Sequence, residues 1–333
     1  MLKLSDFDYN LPKELIAQYP LERREDARLM IVERKTGRIT HAVFKELDTY
    51  FRKNDLIILN DTKVLNCRLI GKKITGGKVE VLLTKRLNGT TFSCLVQPSR
   101  TKVGEKILFA GGAIKAVLSS KGKISFDLRQ ADEVYNFGII PLPPYIKRQP
   151  EDLDNVYYQT VYAKNEGALA SPTAGLHFTE QILKKLESAG IKTGYLTLHV
   201  GLGTFRPVKC EDVTCHKMEP EYFLIPDKVV ELVQQTKAQQ GRIIAVGTTS
   251  LRSLEAYAVD QKKEGNTDLF IYPGYKFKIN YAGMITNFHL PKSSLILLVS
   301  AFAGRDKILD AYVEAVNLKY RFFSFGDAML ILK

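Results

Sequence analysis

Glu166 to Pro207 read EGALASPTAGLHFTEQILKKLESAGIKTGYLTLHVGLGTFRP. Ile182, Leu183, Leu186 and Ala189 recur at helical spacing, with Thr179 placed to cap the N-terminus and Gly190 to stop the helix, which predicts one helix of about three turns. From Tyr195 the period changes to two: Leu196, Leu198 and Val200 take one face of a strand, and Tyr195, Thr197 and His199 take the other. Polar chemistry brackets this regular structure. His177, between Leu176 and Phe178, reads either as a buried residue that hydrogen-bonds one carbonyl or as a functional group, and His199 at the strand end has the same two readings. Gly201-x-Gly203 lacks the third glycine and the downstream acid of a dinucleotide fingerprint.

Working outward, the flanks keep the same α/β texture. Arg28 to Val32 predicts a strand that turns at Thr36-Gly37 and returns over Ile39 to Phe44. Asp55 to Asp61, DLIILND, is an apolar strand ending in Asn60, Asp61 and Thr62, a favoured place for chemistry and equally a plain turn sequence. Downstream, Glu221 to Ile225 predicts a strand and Pro226 to Gln239 a helix; Ile243 to Gly247 predicts a buried strand. Thr248, Thr249 and Ser250 then form a hydroxyl-rich turn before a helix carrying Leu251, Leu254 and Ala258, offering either an anion site or simple helix caps. Leu269 to Tyr272 predicts a short strand, Thr286 to Leu290 a strand end bearing Asn287 and His289, and Pro291 the opening of a buried helix. A last helix over Lys307 to Tyr320 leads into Arg321, Phe322, Phe323, Ser324, Phe325, Gly326 and Asp327, aromatics suited to base stacking or to a core.

Between about Cys67 and Pro144 the texture is different. Short apolar runs at 78–83, 91–97, 106–109, 114–118 and 123–128 are separated by glycine-rich turns, which predicts an all-β insert of about six strands, closed as a small barrel to protect its edges. The charge is concentrated there. Thr62 to Arg129 hold 14 Lys or Arg against Glu80, Glu105 and Asp127, 14 − 3 = +11 of the chain's formal +12. Such a local field suits a polyanion such as RNA, or serves only as a solvated surface. The 333 residues, 45% hydrophobic and 25% charged, have the composition of an ordinary soluble globular protein rather than a disordered chain. MLKLSDFDYNLP offers no secretory pattern, the longest apolar run (295–302) is too short to cross a bilayer, and four scattered cysteines favour a reducing, cytoplasmic setting. Cys210, Cys215 and His216 lack a zinc spacing and a fourth ligand, so no metal is expected.

Taken together, YQTVYA (158–163), GALASPTAGLHFT (167–179), TLHVGLGTFRPV (197–208), AVGTTSLRSLE (245–255), FIYPGY (270–275), TNFHLPKSS (286–294), LVSAFAG (298–304) and YRFFSFGDAM (320–329) closely resemble the S-adenosylmethionine:tRNA ribosyltransferase-isomerase family of queuosine biosynthesis. FDYNLPKELIAQYP, ARLMIV and NDLIILNDTKVLNCRL near the start extend the resemblance over essentially the whole chain.

The resemblance implies an α/β main domain (1–65 and 145–333) with an inserted antiparallel β-barrel domain (66–144) able to contact tRNA. It implies transfer and isomerisation of the ribosyl moiety of S-adenosylmethionine onto 7-aminomethyl-7-deazaguanine at the tRNA wobble position, giving epoxyqueuosine-tRNA, adenine and methionine. S-adenosylmethionine would be a co-substrate, with no required cofactor, no membrane and no obligate protein partner. That chemistry needs a base at the sulfonium-activated 5′ carbon, a neutral amine nucleophile and an acid for departing adenine. The residues matched to these tasks are His177 and His199 for proton transfer with Asp61 as alternative base or orienter. Arg206 and Arg252 are matched to a carboxylate or phosphate, Thr248, Thr249 and Ser250 to the methionine carboxylate, and Asn287 and His289 to a base edge or ribose. Arg321, Phe323 and Asp327 either complete the pocket or hold its wall. Ala27, Glu219 and Ala282 depart from the family pattern, and none is given a role. A methyltransferase is the alternative enzyme, but its glycine-rich turn after the first strand is absent.

Overall fold

Leu56, Ile57, Ile58 and Leu59 have no exposed surface, and the strand they form has a parallel neighbour on each side. A continuous apolar run is what a strand covered on both faces requires. The computed structural model describes residues 2–201, 203 and 207–333. In chain order the first elements are β1 (Arg28–Glu33), β2 (Ile39–Val43), β3 (Leu56–Asn60) and β4 (Thr62–Val64). Six strands follow: β5 (Arg68–Lys73), β6 (Lys78–Asn88), β7 (Thr91–Gln97), β8 (Lys106–Phe109), β9 (Ile114–Ser120) and β10 (Lys123–Phe126). The remainder is α1 (Asp154–Tyr157), β11 (Asn165–Ala168), α2 (Glu180–Ser188), β12 (Lys192–Leu198), β13 (Glu221–Leu224), α3 (Asp227–Ala238), β14 (Ile243–Val246), α4 (Gly247–Asp260), β15 (Glu264–Thr267), β16 (Tyr281–Asn287), α5 (Ser294–Ala303), α6 (Arg305–Asn317) and β17 (Ala328–Leu332).

The chain divides into two units, Met1–Lys63 with Pro144–Arg148 and Tyr157–Lys333, and Val64–Pro143 with Gln149–Val156. The first contains a nine-stranded mixed sheet in the order β15-β13-β12-β3-β14-β16-β17-β1-β2. Its centre, β12-β3-β14-β16, is parallel, and β17 enters antiparallel to β16 and parallel to β1. Helices cover both faces. Ile182 and Leu186 of α2 join Ile57 and Leu59 in one core, while Val229 and Leu232 of α3 approach Gly194 and Ile58 on the other face. Thr179 caps α2 by accepting the Ile182 N–H at 3.2 Å, as its sequence predicts.

The second unit contains a closed antiparallel barrel in the order β10-β7-β6-β5-β8-β9. Val79, Val81, Phe92, Ile107, Phe109, Ile124 and Phe126 fill it, with the Phe92 and Phe126 rings edge to face at 5.8 Å. Gly71 is required by closeness: a Cβ there would lie 2.7 Å from the Leu108 carbonyl and the Phe109 ring.

Three local expectations are corrected. Leu269–Tyr272 is irregular, the edge strand being β15 instead. α4 starts at Gly247, directly from β14, so Thr248–Ser250 lie within its first turn and not in a preceding one. Pro291 sits in a turn, and α5 is capped by Ser293, which accepts the Ile296 N–H at 3.3 Å.

The amino ends of β3 and β14 are clamped by Asp55, which is fully buried and accepts the Arg242 backbone N–H, Nε and Nη2 at 2.6–3.1 Å. Asp55→Ala leaves these donors without their acceptor, and a loss of about 3 kcal/mol is expected. Urea unfolding of the variant would measure it; an unchanged midpoint would show that the clamp adds nothing net.

Candidate functional site

Neighbouring strands β14 and β16 deliver their carboxyl ends to one place, the usual position of ligand sites in open α/β sheets. A cavity of about 360 Å³ opens there, walled by Pro144–Tyr145, Ser171–Ala174, Gly247–Thr249, Thr286–Ser293 and Phe323–Ser324. Gly247, at φ +82°, allows the strand to become helix with no intervening loop. That places Thr248 and Thr249 at the helix N-terminus, where backbone N–H groups lack intrahelical partners. Three side-chain atoms of the lining residues, Ser171 Oγ, Thr249 Oγ1 and Asn287 Oδ1, are buried without a hydrogen-bond partner. Leaving such groups unpaired costs about 1–3 kcal/mol each, so an occupant that pairs them is favoured. Ser250, fully buried and next in the chain, carries a further unpartnered hydroxyl.

The histidines have different surroundings. His289 lines the cavity, its Nε2 lying 2.8 Å from Thr286 Oγ1, and burial pushes its pKa down to about 3. His177 lies behind the wall against Phe44, with Nε2 3.1 Å from Asn287 Nδ2. Burial, aided by the positive charges of Arg24 and Arg321 and opposed by a hydrogen bond to the Arg24 backbone, takes its pKa to about 3. His199 stands just past the end of β12, with Nδ1 2.8 Å from Thr62 Oγ1 and its ring stacked on Tyr222 at 5.3 Å. Its pKa is also lowered by burial, with the Asp61 charge pulling the other way. Gly167, at φ +151°, makes room for it: a Cβ there would sit 2.6 Å from the imidazole. His199 does not line the cavity, whereas Val200, the next residue, does.

Asp61 accepts from Thr197 Oγ1 at 2.7 Å and from Asn165 Nδ2 at 3.1 Å, which makes it the hub of a polar knot under His199. Arg252 is 4% exposed and is ion-paired with Glu221, whose other oxygen accepts the Gly201 N–H at 2.8 Å. Its Nη1 is thus taken by a protein carboxylate, its Nη2 is buried without a partner, and it is not a lining residue of the cavity. Asp327 accepts the Arg28 and Arg321 backbone N–H groups at 2.9 and 2.7 Å and holds the chain that carries Phe323; Arg321 itself reaches the Tyr19 carbonyl. Phe323 is in the wall, stacked at 4.6 Å on Tyr145. Arg206 lies outside the described residues. Among the described residues no group of three or more His, Cys, Asp or Glu is arranged to hold a metal ion, and no helix is long and apolar enough to cross a membrane.

The sequence model of the queuosine biosynthesis protein family matches residues 4–331. The chain belongs to that family. A relative from Sulfurihydrogenibium sp., named S-adenosylmethionine:tRNA ribosyltransferase-isomerase, is 50% identical over 337 residues, covering 99% of this chain and all of the relative. One of the same name from Caldanaerobacter subterraneus is 49% identical with the same coverage. The crystal structure of S-adenosylmethionine tRNA ribosyltransferase from Thermotoga maritima is 36% identical and superposes with a TM-score of 0.58, covering 98% of this chain and all of that one.

In this queuosine biosynthesis protein, sequence reasoning named Thr248, Thr249, Asn287, His289 and Phe323, all of which line the cavity, and missed Tyr145, Ser171, Thr173 and Ser324. Ser171 and Thr173 flank Pro172 within a motif that was read for its histidine, and Tyr145 follows the PLPP exit of the insert. These three are polar residues beside a proline, and Ser324 is a lone serine between two phenylalanines, signals too common to single out. His177 and His289 titrate near 6.5 when unfolded and near 3 when folded, so between those values the unfolded chain binds more protons. Their contribution is therefore complete above about pH 6.5 and is lost as pH falls, about 2 kcal/mol for each histidine by about pH 5. Denaturant midpoints at pH 7 and 5 should fall less for a His177→Gln/His289→Gln protein than for the parent; parallel losses would contradict the assignment.

Proposed function

We propose that this chain acts as an S-adenosylmethionine:tRNA ribosyltransferase-isomerase. It transfers and isomerises the ribosyl moiety of its co-substrate S-adenosylmethionine onto 7-aminomethyl-7-deazaguanine at the tRNA wobble position, yielding epoxyqueuosine-tRNA, adenine and methionine. The observation that carries this reading is end-to-end 50% identity to an enzyme of that name. The cavity supports it chemically, since its aromatic wall suits a base and the amino end of α4 suits a carboxylate. We assign the enzyme to the cytoplasm, as a tRNA substrate calls for.

The 5′ carbon beside the sulfonium must give up a proton, and the aminomethyl nitrogen must attack as the free amine. For the base we assign His199, the chain neighbour of the cavity-lining Val200, in preference to His177 and Asp61. Its depressed pKa keeps it neutral, Thr62 fixes one ring nitrogen, and its surroundings are less closed than those of His177. Asp61 fits an orienting role, because its carboxylate already accepts from Thr197 and Asn165. Thr248, Thr249 and Ser250 are assigned to the methionine carboxylate.

The reading is tested by incubating the protein with S-adenosylmethionine and an anticodon-loop RNA bearing 7-aminomethyl-7-deazaguanine. Free adenine and an epoxycyclopentanediol adduct on the RNA are expected; a methyl adduct with S-adenosylhomocysteine would replace the reading with methyl transfer. His199→Ala should lower kcat about 10²–10⁴-fold with RNA affinity intact. In the parent the acid limb of kcat/KM should have its midpoint below 6.5, the direction of the His199 shift.

For tRNA we assign the barrel a role through its lysines. Lys72 faces Lys78 directly across β5–β6, and Leu108 sits in register with both Lys72 and Lys115, so three exposed lysines cross four strands in one row. Like charges opposite one another weaken a sheet, which suits a surface that serves a polyanion. A Lys72→Gln/Lys78→Gln/Lys115→Gln protein should bind tRNA more weakly and reduce the slope of log affinity against log salt by roughly 2. An unchanged slope in a salt series would remove the row from the interface.

A further inference from the structure

An asparagine amide can present either its oxygen or its nitrogen to a ligand, and its neighbours decide which. At Asn287 the neighbours leave one answer. His177 is engaged with the Arg24 backbone, which leaves Nε2 as an acceptor for Asn287 Nδ2 at 3.1 Å. The Phe323 carbonyl accepts from the same nitrogen, also at 3.1 Å. With both amide hydrogens given to the protein, Asn287 has only Oδ1 to offer, and that atom is buried, unpartnered and part of a residue lining the cavity. The site therefore demands a donor. Asn287 is tied to the backbone of Phe323, whose ring forms the cavity's aromatic wall with Tyr145, their planes 27° apart. A flat heterocycle against that wall would bring its edge to Asn287.

Resting on the ribosyl-transfer reading, we propose that Asn287 Oδ1 reads the exocyclic amino group of the S-adenosylmethionine adenine, and that His177 is the positioning residue that holds this oxygen toward the ligand. Adenine carries an N6–H₂ donor at that edge. A 6-oxo purine carries an acceptor there, which would face the Oδ1 lone pairs and leave both groups unpaired. The pair thus selects the amino form of the co-substrate without making or breaking a covalent bond.

The test is calorimetric binding of S-adenosylmethionine and of its 6-oxo analogue, S-inosylmethionine, to the full-length protein, alone and saturated with the anticodon-loop RNA, together with the affinity for that RNA. The parent should prefer the amino compound by at least about 30-fold. Asn287→Ala should compress that preference to within a few-fold. His177→Phe removes the acceptor that orients the amide and should compress it about tenfold, while His177→Gln, which keeps an acceptor, should restore it. Parent binding of the two compounds with equal affinity, or an unaltered preference in Asn287→Ala, overturns the proposal. If only RNA affinity changes in Asn287→Ala, the oxygen reads the acceptor base instead, and the proposal fails. His177→Phe behaving as the parent removes the positioning role. Absence of any S-adenosylmethionine binding by the folded parent both alone and with the RNA present would sink the ribosyl-transfer reading itself, a separate result.

Discussion

The main unit depends on how β3 ends. Asn60 is 1% exposed, and its side chain behaves as an extra stretch of backbone: Nδ2 donates to the Leu198 carbonyl and Oδ1 accepts the Leu198 N–H, both at 3.0 Å. The parallel ladder between β3 and β12 is thereby continued past the point where regular pairing stops. Asp61 then gathers Thr197 and Asn165, while its carbonyl accepts the Lys164 and Asn165 N–H groups at 2.8 and 3.2 Å. Buried hydrogen bonds of this kind contribute about 1 kcal/mol each, but their geometry matters more. They fix His199 against Thr62, the residue after Asp61.

The cavity follows a different rule. It is built largely of apolar surface, into which a few polar atoms are placed and left unpaired, and the same desolvation holds His289 neutral. The wall also carries backbone strain. Phe323 adopts φ +69°, a conformation costing an aromatic residue about 1–3 kcal/mol. Its stacking on Tyr145 and its carbonyl's bonds from Asn287 and the Gly326 N–H offset that cost. The ring and the carbonyl are both useful where this φ puts them, which gives a reason for the strain to persist.

The barrel separates electrostatics from chemistry. Arg68–Glu80 and Lys73–Glu105 are paired within it, whereas Lys72, Lys78 and Lys115 lie on the outer surface in a single register row. Closing the sheet removes free edges, so the surface can carry many lysines without inviting another strand to pair. Its aromatic core supplies the apolar burial that holds so charged a surface together.

Local periodicity determined much of this protein by itself: α2 with its Thr179 cap, the alternation along β12, the buried β3 and a six-stranded closed barrel all follow from patterns a few residues long. Where a local signal was ambiguous, it misled, as at Leu269–Tyr272 and at the start of α4, because propensity does not say whether a partner strand is present or whether a turn is needed. What only the tertiary structure decided is who meets whom. Arg252 gives its Nη1 to Glu221, Asp327 is spent on residue 28, and His177 became the neighbour of Asn287, 110 positions away. Residue type fixes what a side chain can donate or accept; only the folded chain fixes which of those capacities are already used, and the unused ones make the site.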